Sequence, residues 1–117
     1  VHAGVGDRDQ ALDKARRDLF SYAVVDAYAA NFARAGFEDE VAQIRERHQA
    51  GDREGALAAV SDRMCDAIDV VGSADLVAAT VRDYVAAGVD VPVLMPLPWG
   101  GDRTQVIADT LRAAAQA

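Results

Sequence analysis

The chain has 117 residues and a formal net charge of −7, from 19 acidic and 12 basic side chains. This length is typical of one folded domain, and it excludes a complete (β/α)8 barrel, which needs roughly 250 residues. The negative charge opposes nonspecific binding to nucleic acid. Because the sequence shows neither an apolar run of about 18 residues nor a leader-like opening, we expect a soluble, cytoplasmic protein with no membrane segment.

Small apolar residues dominate the expected core. Of the 60 hydrophobic residues, 25 are Ala and 15 are Val. Such side chains pack closely, which favours helices lying on a sheet over an aromatic-rich sandwich of two sheets. We therefore expect an α/β arrangement.

The first half of the chain predicts a short strand followed by helices. Residues 1–5 favour extended structure, and Asp7 is placed to cap the helix that follows. Apolar residues recur at helical spacing up to Ala35, and Gly36 is expected to end that helix. A second helix is predicted from Glu38 to Ala50. A third helix is marked by apolar residues at spacings of three and four, namely Leu57, Val60, Met64, Ala67 and Ile68.

The second half alternates between predicted strands and helices. Asp69-Val70-Val71 predicts a brief strand, and Ser73 is placed to cap a helix that ends at Gly88. Val89 to Met95 is a continuous β-branched run, so we predict a strand that is buried on both faces. A loop rich in Gly and Pro, residues 97–102, then leads to a last helix. This order predicts parallel strands joined by right-handed crossovers, in a sheet too small to cover all the apolar helix faces.

Four stretches of the chain carry a pattern that points to one enzyme family. In chain order they are Val5-Gly6-Asp7-Arg8-Asp9-Gln10-Ala11, Ala35-Gly36-Phe37 with Glu38, Val71-Gly72-Ser73-Ala74-Asp75-Leu76-Val77, and Tyr84 to Pro96. Their order and spacing resemble the carboxy-terminal part of the luciferase-like oxidoreductases, which are TIM-barrel enzymes. The branch that uses coenzyme F420 is the most similar.

The resemblance implies that residues 1–117 form a single segment with the last strands and helices of a (β/α)8 TIM barrel, whose amino-terminal part is absent. It implies a monooxygenase or related oxidoreductase that transfers a hydride between F420 or FMN and a small organic substrate. In this family most cofactor contacts lie in the amino-terminal part. No residue of this chain is therefore assigned as catalytic or as a cofactor ligand, and the chain is expected to be inactive alone.

The turns after the predicted strands are where this segment would reach a substrate, because ligands bind at the carboxyl ends of barrel strands. The candidate substrate-pocket residues are Gly72, Ser73, Met95, Trp99, Gly100 and Asp102. Structural alternatives remain open for three of them. Ser73 and Asp102 are also suited to cap helices, and Trp99 is also suited to be a lid or a packing plug.

Other residues give no support for a metal site or for nucleophilic catalysis. The single Cys65 is expected to be an inert buried thiol, and two histidines cannot supply a zinc-binding spacing. His2 has no acidic partner evident in the sequence, and His48 fits a partly buried helix face. The acidic run Glu38-Asp39-Glu40 fits the first turn of a helix, where negative charge is stabilising.

Two other interpretations remain open at this stage. The first is a non-enzymatic structural module that pairs its open sheet edges in a homo-oligomer, in place of binding the rest of a barrel. The second is a self-sufficient helical domain in which Val70-Val71 and Val91 to Met95 are merely extended.

Overall fold

The structure is a computed structural model that describes residues 1–117. These residues divide into two units, the first containing Val1–Ala11 and Ile68–Ala117 and the second containing Leu12–Ala67. No helix in either unit has both the length and the apolar character that crossing a bilayer requires. In chain order the elements are β1 (His2–Val5), α1 (Arg8–Ala23), α2 (Asp26–Phe32), a π-helical segment (Ala33–Phe37), α3 (Glu38–Gln49), α4 (Arg53–Ala58), α5 (Asp62–Ile68), β2 (Asp69–Gly72), α6 (Ala74–Ala86), β3 (Met95–Pro96) and α7 (Arg103–Ala114).

The first unit contains an open sheet of three parallel strands in the order β2-β1-β3. The central strand β1 pairs with β2 from His2 to Val5, whereas only His2 and Ala3 pair with β3. The helix-rich α/β class and the parallel strands agree with the sequence prediction. The sheet is not closed into a barrel, and its order differs from that of three successive barrel strands, which would lie β1-β2-β3.

Helices α6 and α7 pack against each other and against β1, on one face of this sheet. Ala3, Val70, Val77 and Ala113 form the buried cluster on that face. A second cluster contains Ala11, Val71 and Leu97. Since successive strand residues point to opposite faces, the neighbours Val70 and Val71 belong to different clusters.

One buried polar residue joins α7 to the central strand. The Val5 N–H donates to Oγ1 of Thr110 at 2.8 Å, and this hydroxyl donates to the Val106 carbonyl at 2.6 Å. Thr110 is fully buried, so its bond to Val106 is shielded from water, and its bond to Val5 is partly shielded. The helix is thereby fixed on the carboxyl end of β1.

The prediction of a long, doubly buried strand from Val89 to Met95 is wrong. Only Met95–Pro96 is a strand, and the side chains of Val91 and Val93 are each 77% exposed. Leu94, which points to the other face, does pack against the core. A β-branched run becomes buried only where neighbouring elements cover it, and nothing in this chain covers the face that carries Val91 and Val93.

Two predicted helices are interrupted in the structure. The helix expected up to Ala35 breaks at Val25, which has extended backbone angles, and α2 begins at the next residue. Two adjacent β-branched residues, Val24 and Val25, weaken helix propensity at this point. Gly36, with φ of 102°, ends the first helical run as predicted. The third predicted helix is split into α4 and α5.

Ser61 causes the second interruption and takes part in a polar cluster of the second unit. Its Oγ accepts the Met64 N–H at 3.1 Å, which caps α5, and donates to Oε1 of Glu40 at 3.0 Å. Arg63 donates to the same Oε1 at 2.7 Å and to the Gly36 carbonyl at 3.1 Å. Glu40 therefore joins the start of α3 to the start of α5. Cys65 is buried in this unit, as predicted.

The prediction for His48 was only partly right. The residue lies on α3 as expected, but it is exposed rather than partly buried. Its ring contacts Phe20 edge to face, with the ring centroids 5.4 Å apart. His48 thus has a packing contact and no acidic partner in the second unit.

Acid should weaken the second unit through Glu40. Burial alone would raise the pKa of this carboxyl, but hydrogen bonds from its own backbone N–H, Arg63 and Ser61, together with the Arg63 charge, lower the pKa below its ordinary 4.5. A carboxyl whose pKa is lowered by folding stabilises the folded protein when the pH is above the ordinary pKa. This stability is lost as the pH falls through the pKa of the folded protein. We expect the difference in unfolding free energy between the wild type and Glu40→Gln to shrink below about pH 4.5.

Urea denaturation between pH 3.5 and 7 measures this difference. Glu46→Gln, on the exposed surface of the same helix, is the control and should show no such convergence. A pH-independent difference for Glu40→Gln would contradict the prediction.

Candidate functional site at the carboxyl edge of the sheet

Three turns meet at one edge of the sheet in the first unit. Gly6-Asp7 follows β1, Gly72-Ser73 ends β2 and begins α6, and the loop from Leu97 to Asp102 follows β3. The carboxyl ends of parallel strands lie at the same edge, so these turns, called here the carboxyl-edge turns, lie side by side. Each leads directly into the amino terminus of a helix.

Backbone hydrogen bonds join the three turns. The Gly6 N–H donates to the Gly72 carbonyl at 3.0 Å, and the Asp7 N–H donates to the Gly100 carbonyl at 2.8 Å. The turn after β1 therefore bonds to both of its neighbours. Their relative positions are fixed by the backbone and do not depend on side-chain conformation.

Two glycines allow this close approach. A Cβ atom added to Gly6 would lie 2.4 Å from the Trp99 carbonyl oxygen, and one added to Gly100 would lie 2.3 Å from that of Asp7. Gly100 also has φ of 79°, in the left-handed region that disfavours other residues. The pairing of the first and third turns thus requires glycine at both positions.

The polar side chains of the three turns cap the helices that follow. A side-chain oxygen of Asp7 accepts the Gln10 N–H at 3.0 Å, and one of Asp102 accepts the Gln105 N–H at 3.0 Å. Oγ of Ser73 accepts the Leu76 N–H at 3.2 Å. The capping roles expected for Asp7, Ser73 and Asp102 are confirmed. Three helix amino termini, with their partial positive charge, are directed at this edge.

Trp99 supplies the only large aromatic ring of these turns. It is half-buried and packs against the cluster of Ala11, Val71 and Leu97. One part of the ring thus contributes to packing while another part remains accessible. Both interpretations made from the sequence, a packing plug and a pocket wall, are compatible with this position.

Met95 does not lie among the carboxyl-edge turns. It is the first residue of β3, it pairs with His2 at the start of β1, and its side chain is 55% exposed. The predicted strand ended at Met95, whereas the strand in the structure begins there. Its grouping with the other candidates is therefore not supported by its position.

Sequence reasoning missed a polar pair at the opposite, amino edge of the sheet. Nδ1 of His2 lies 3.1 Å from Oδ1 of Asp69, whose side chain is fully buried. The two residues occupy paired positions of β1 and β2. The available signal was that Asp69 is the first residue of one predicted strand and His2 is the second residue of another. Parallel pairing of these strands in register places the two residues side by side.

The carboxyl-edge turns provide shape and electrostatics rather than a pair of acid and base side chains. An oxygen of each turn carboxylate is used for capping, and the nearest aromatic surface is that of Trp99. Helix amino termini favour phosphate and other anions, and an aromatic ring favours a flat apolar partner. These turns therefore combine positive helix ends with one flat aromatic surface.

Comparison with protein families shows which family the fold and turns belong to. The family model described as luciferase-like monooxygenase matches residues 1–91, which include the turns after β1 and β2. No curated protein and no solved structure matches the chain significantly.

Replacement of Gly6 by Ala should destabilise the first unit. The new Cβ would meet a backbone oxygen that cannot rotate away, so we expect a loss of about 1–3 kcal/mol of unfolding free energy. Gly101→Ala is the matched control, because its Cβ would meet one side-chain methyl group of Val106 at 3.2 Å and no backbone atom. Urea denaturation of the two variants measures the effect. Equal stability of the two proteins would show that the turns are not held by this contact.

Proposed function

Because the chain belongs to the luciferase-like monooxygenase family, we propose that it forms one wall of the active site of a flavin- or F420-dependent oxidoreductase. The observation that carries this proposal is the convergence of three βα turns at one sheet edge. Ligands bind at this edge in parallel α/β enzymes. We also propose that the cofactor is F420 rather than FMN. The four stretches that resemble the F420 branch support this choice.

The turns after β2 and β3 supply the residues of the proposed site. The backbone N–H groups after Gly72 and Ser73 would receive a phosphate or carboxylate, and the Trp99 ring would bound the pocket. Gly100 and Asp102 would set the course of the loop that carries Trp99. When bound, the cofactor supplies the hydride chemistry with a small organic substrate, whereas these residues orient the ligands and exclude water.

The open sheet supports a further part of the proposal, that residues 1–117 belong to a (β/α)8 barrel. A closed barrel has no free edge, and here β2 and β3 are both edge strands. The free edges of β2 and β3 are where the other barrel strands would pair. In this proposal the chain alone has no turnover.

Cofactor titration of the protein expressed from the complete gene tests the proposed activity. We expect F420 or FMN to bind, and Trp99→Ala to weaken binding by about threefold to tenfold, the usual effect of one aromatic contact. Cofactor fluorescence reports the affinity. Leu111→Ala, at an exposed position of α7, is the control and should bind like the wild type. If neither cofactor binds, the proposed activity is wrong.

An exposed apolar row favours a second candidate, a structural module that self-associates through its sheet. Val91, Val93 and Met95 share one face of the extended segment and are 77%, 77% and 55% exposed. The Met95 N–H donates to the Val1 carbonyl and the Leu97 N–H donates to the Ala3 carbonyl, so neither group is free at the outer edge of β3. Pro92 and Pro96 lack an N–H group, which opposes plain strand addition at this edge. Association would therefore depend on side chains.

Light scattering on the purified 117-residue chain separates the two candidates. A structural module should form a discrete dimer or tetramer that Val93→Lys dissociates, because a charge would enter the apolar contact. Leu111→Lys, at a position 52% exposed on α7, is the control and should not change the assembly. Aggregation or a loosely packed state in all three proteins would instead favour an incomplete barrel.

A further inference from the structure

The hydrogen-bond ladder between β1 and β3 ends with the Leu97 N–H, which donates to the Ala3 carbonyl at 2.8 Å. In a parallel ladder the next bond on this side would join the Val5 N–H to the Leu97 carbonyl. The Val5 N–H donates instead to Oγ1 of Thr110, at 2.8 Å. The hydroxyl of a helix residue thus occupies the place of a strand carbonyl.

The Leu97 carbonyl, left without this strand partner, accepts the Trp99 N–H at 2.8 Å. Its oxygen lies over Gly4, where an added Cβ would be 2.4 Å away. The Trp99 carbonyl oxygen lies over Gly6 in the same way, at 2.4 Å. The chain after β3 therefore crosses the face of β1, whereas a continued strand would run beside it.

The prolines of this segment do not explain the change of direction. Pro96 lies within β3 although it lacks an N–H group, because Met95 and Leu97 on either side of it make the bonds to β1. Pro98 would occupy the next equivalent position, and a residue that precedes a proline favours extended backbone. The missing bond needs the Val5 N–H and the Leu97 carbonyl, and neither belongs to a proline. The change of acceptor at Val5 therefore distinguishes this step of the ladder from the one before it.

Thr110 is suited to accept the Val5 N–H because its own hydroxyl proton is already engaged. It donates to the Val106 carbonyl, one turn earlier on α7, at 2.6 Å, which leaves the oxygen as an acceptor. The side chain of Thr110 is fully buried. Without the hydroxyl, the Val5 N–H would lose its acceptor, and a shielded N–H without a partner is costly. The Leu97 carbonyl is the backbone group that could replace it.

We propose that Thr110 positions Trp99. By accepting the Val5 N–H, the hydroxyl ends the ladder and lets the chain cross β1, which brings the ring to the cluster that contains Val71 of β2. In a continued β3 the Trp99 backbone would lie two strand spacings from β2, roughly 10 Å, and the ring would lose this contact. The role of Trp99 in cofactor binding rests on the proposed function, whereas the position of its ring does not.

Fluorescence of the 117-residue chain without cofactor tests the proposal, because Trp99 is its only tryptophan. Thr110→Val should extend the ladder, so Trp99 emission should shift to longer wavelength and acrylamide should quench it more strongly. Thr110→Ser keeps the hydroxyl and should give the wild-type emission and quenching. Thr80→Val is the matched control, since it removes a hydroxyl that donates to the Leu76 carbonyl within α6 at 2.9 Å, and it should leave the fluorescence unchanged.

Unchanged emission and quenching in Thr110→Val, with circular dichroism like that of the wild type, would overturn the proposal. An equal change in Thr80→Val would do the same. If Thr110→Val does not fold, scalar couplings across hydrogen bonds in the wild-type chain decide by NMR. We expect a coupling from the Leu97 N–H to the Ala3 carbonyl, and slow exchange of the Val5 N–H without a coupling to the Leu97 carbonyl.

A coupling between the Val5 N–H and the Leu97 carbonyl in the wild type would overturn the proposal, because the ladder would then continue. Failure of the proposed function is a separate outcome. If Thr110→Val moves the Trp99 ring but the protein from the complete gene binds neither cofactor, the positioning role of Thr110 stands and the proposed activity is wrong.

Discussion

The first unit depends on the close approach of β1 to the chain that follows β3. This approach needs backbone without side chains, because a Cβ at Gly4 would lie 2.4 Å from the Leu97 carbonyl oxygen and one at Gly6 equally close to that of Trp99. With this space free, the turn after β1 bonds to the turns on both sides. Thr110 then fixes α7 on the same strand end. The geometry of the candidate site is a consequence of these backbone contacts.

The helix caps and helix ends could be predicted from the sequence, because each depends on only a few neighbouring residues. Asp7, Ser73 and Asp102 were recognisable as helix caps because each precedes a helical pattern by one residue, and all three accept the expected backbone N–H. Gly36 and Gly88 were recognisable as helix ends, and both have positive φ. The placement of the turns at one edge followed from the alternation of strands and helices. This part of the candidate site needed no tertiary information.

Tertiary context decided the features that were predicted wrongly or missed. Val89 to Met95 has the composition of a buried strand, but Val91 and Val93 are exposed because burial depends on neighbours that the run itself cannot specify. The pairing of His2 with Asp69 depends on register between strands far apart in sequence. The order β2-β1-β3 likewise depends on competition between sheet edges.

The central place of β1 also affects how the protein folds. Both of its partners in this sheet come later in the chain, β2 at residue 69 and β3 at residue 95. During synthesis the contacts of β1 with β2 and β3 therefore cannot form until those later strands have left the ribosome. Pairing over such separations is slow, and an unpaired strand is open to contacts with other chains meanwhile. Yield in the cell should accordingly depend on how quickly the second half of the chain follows β1.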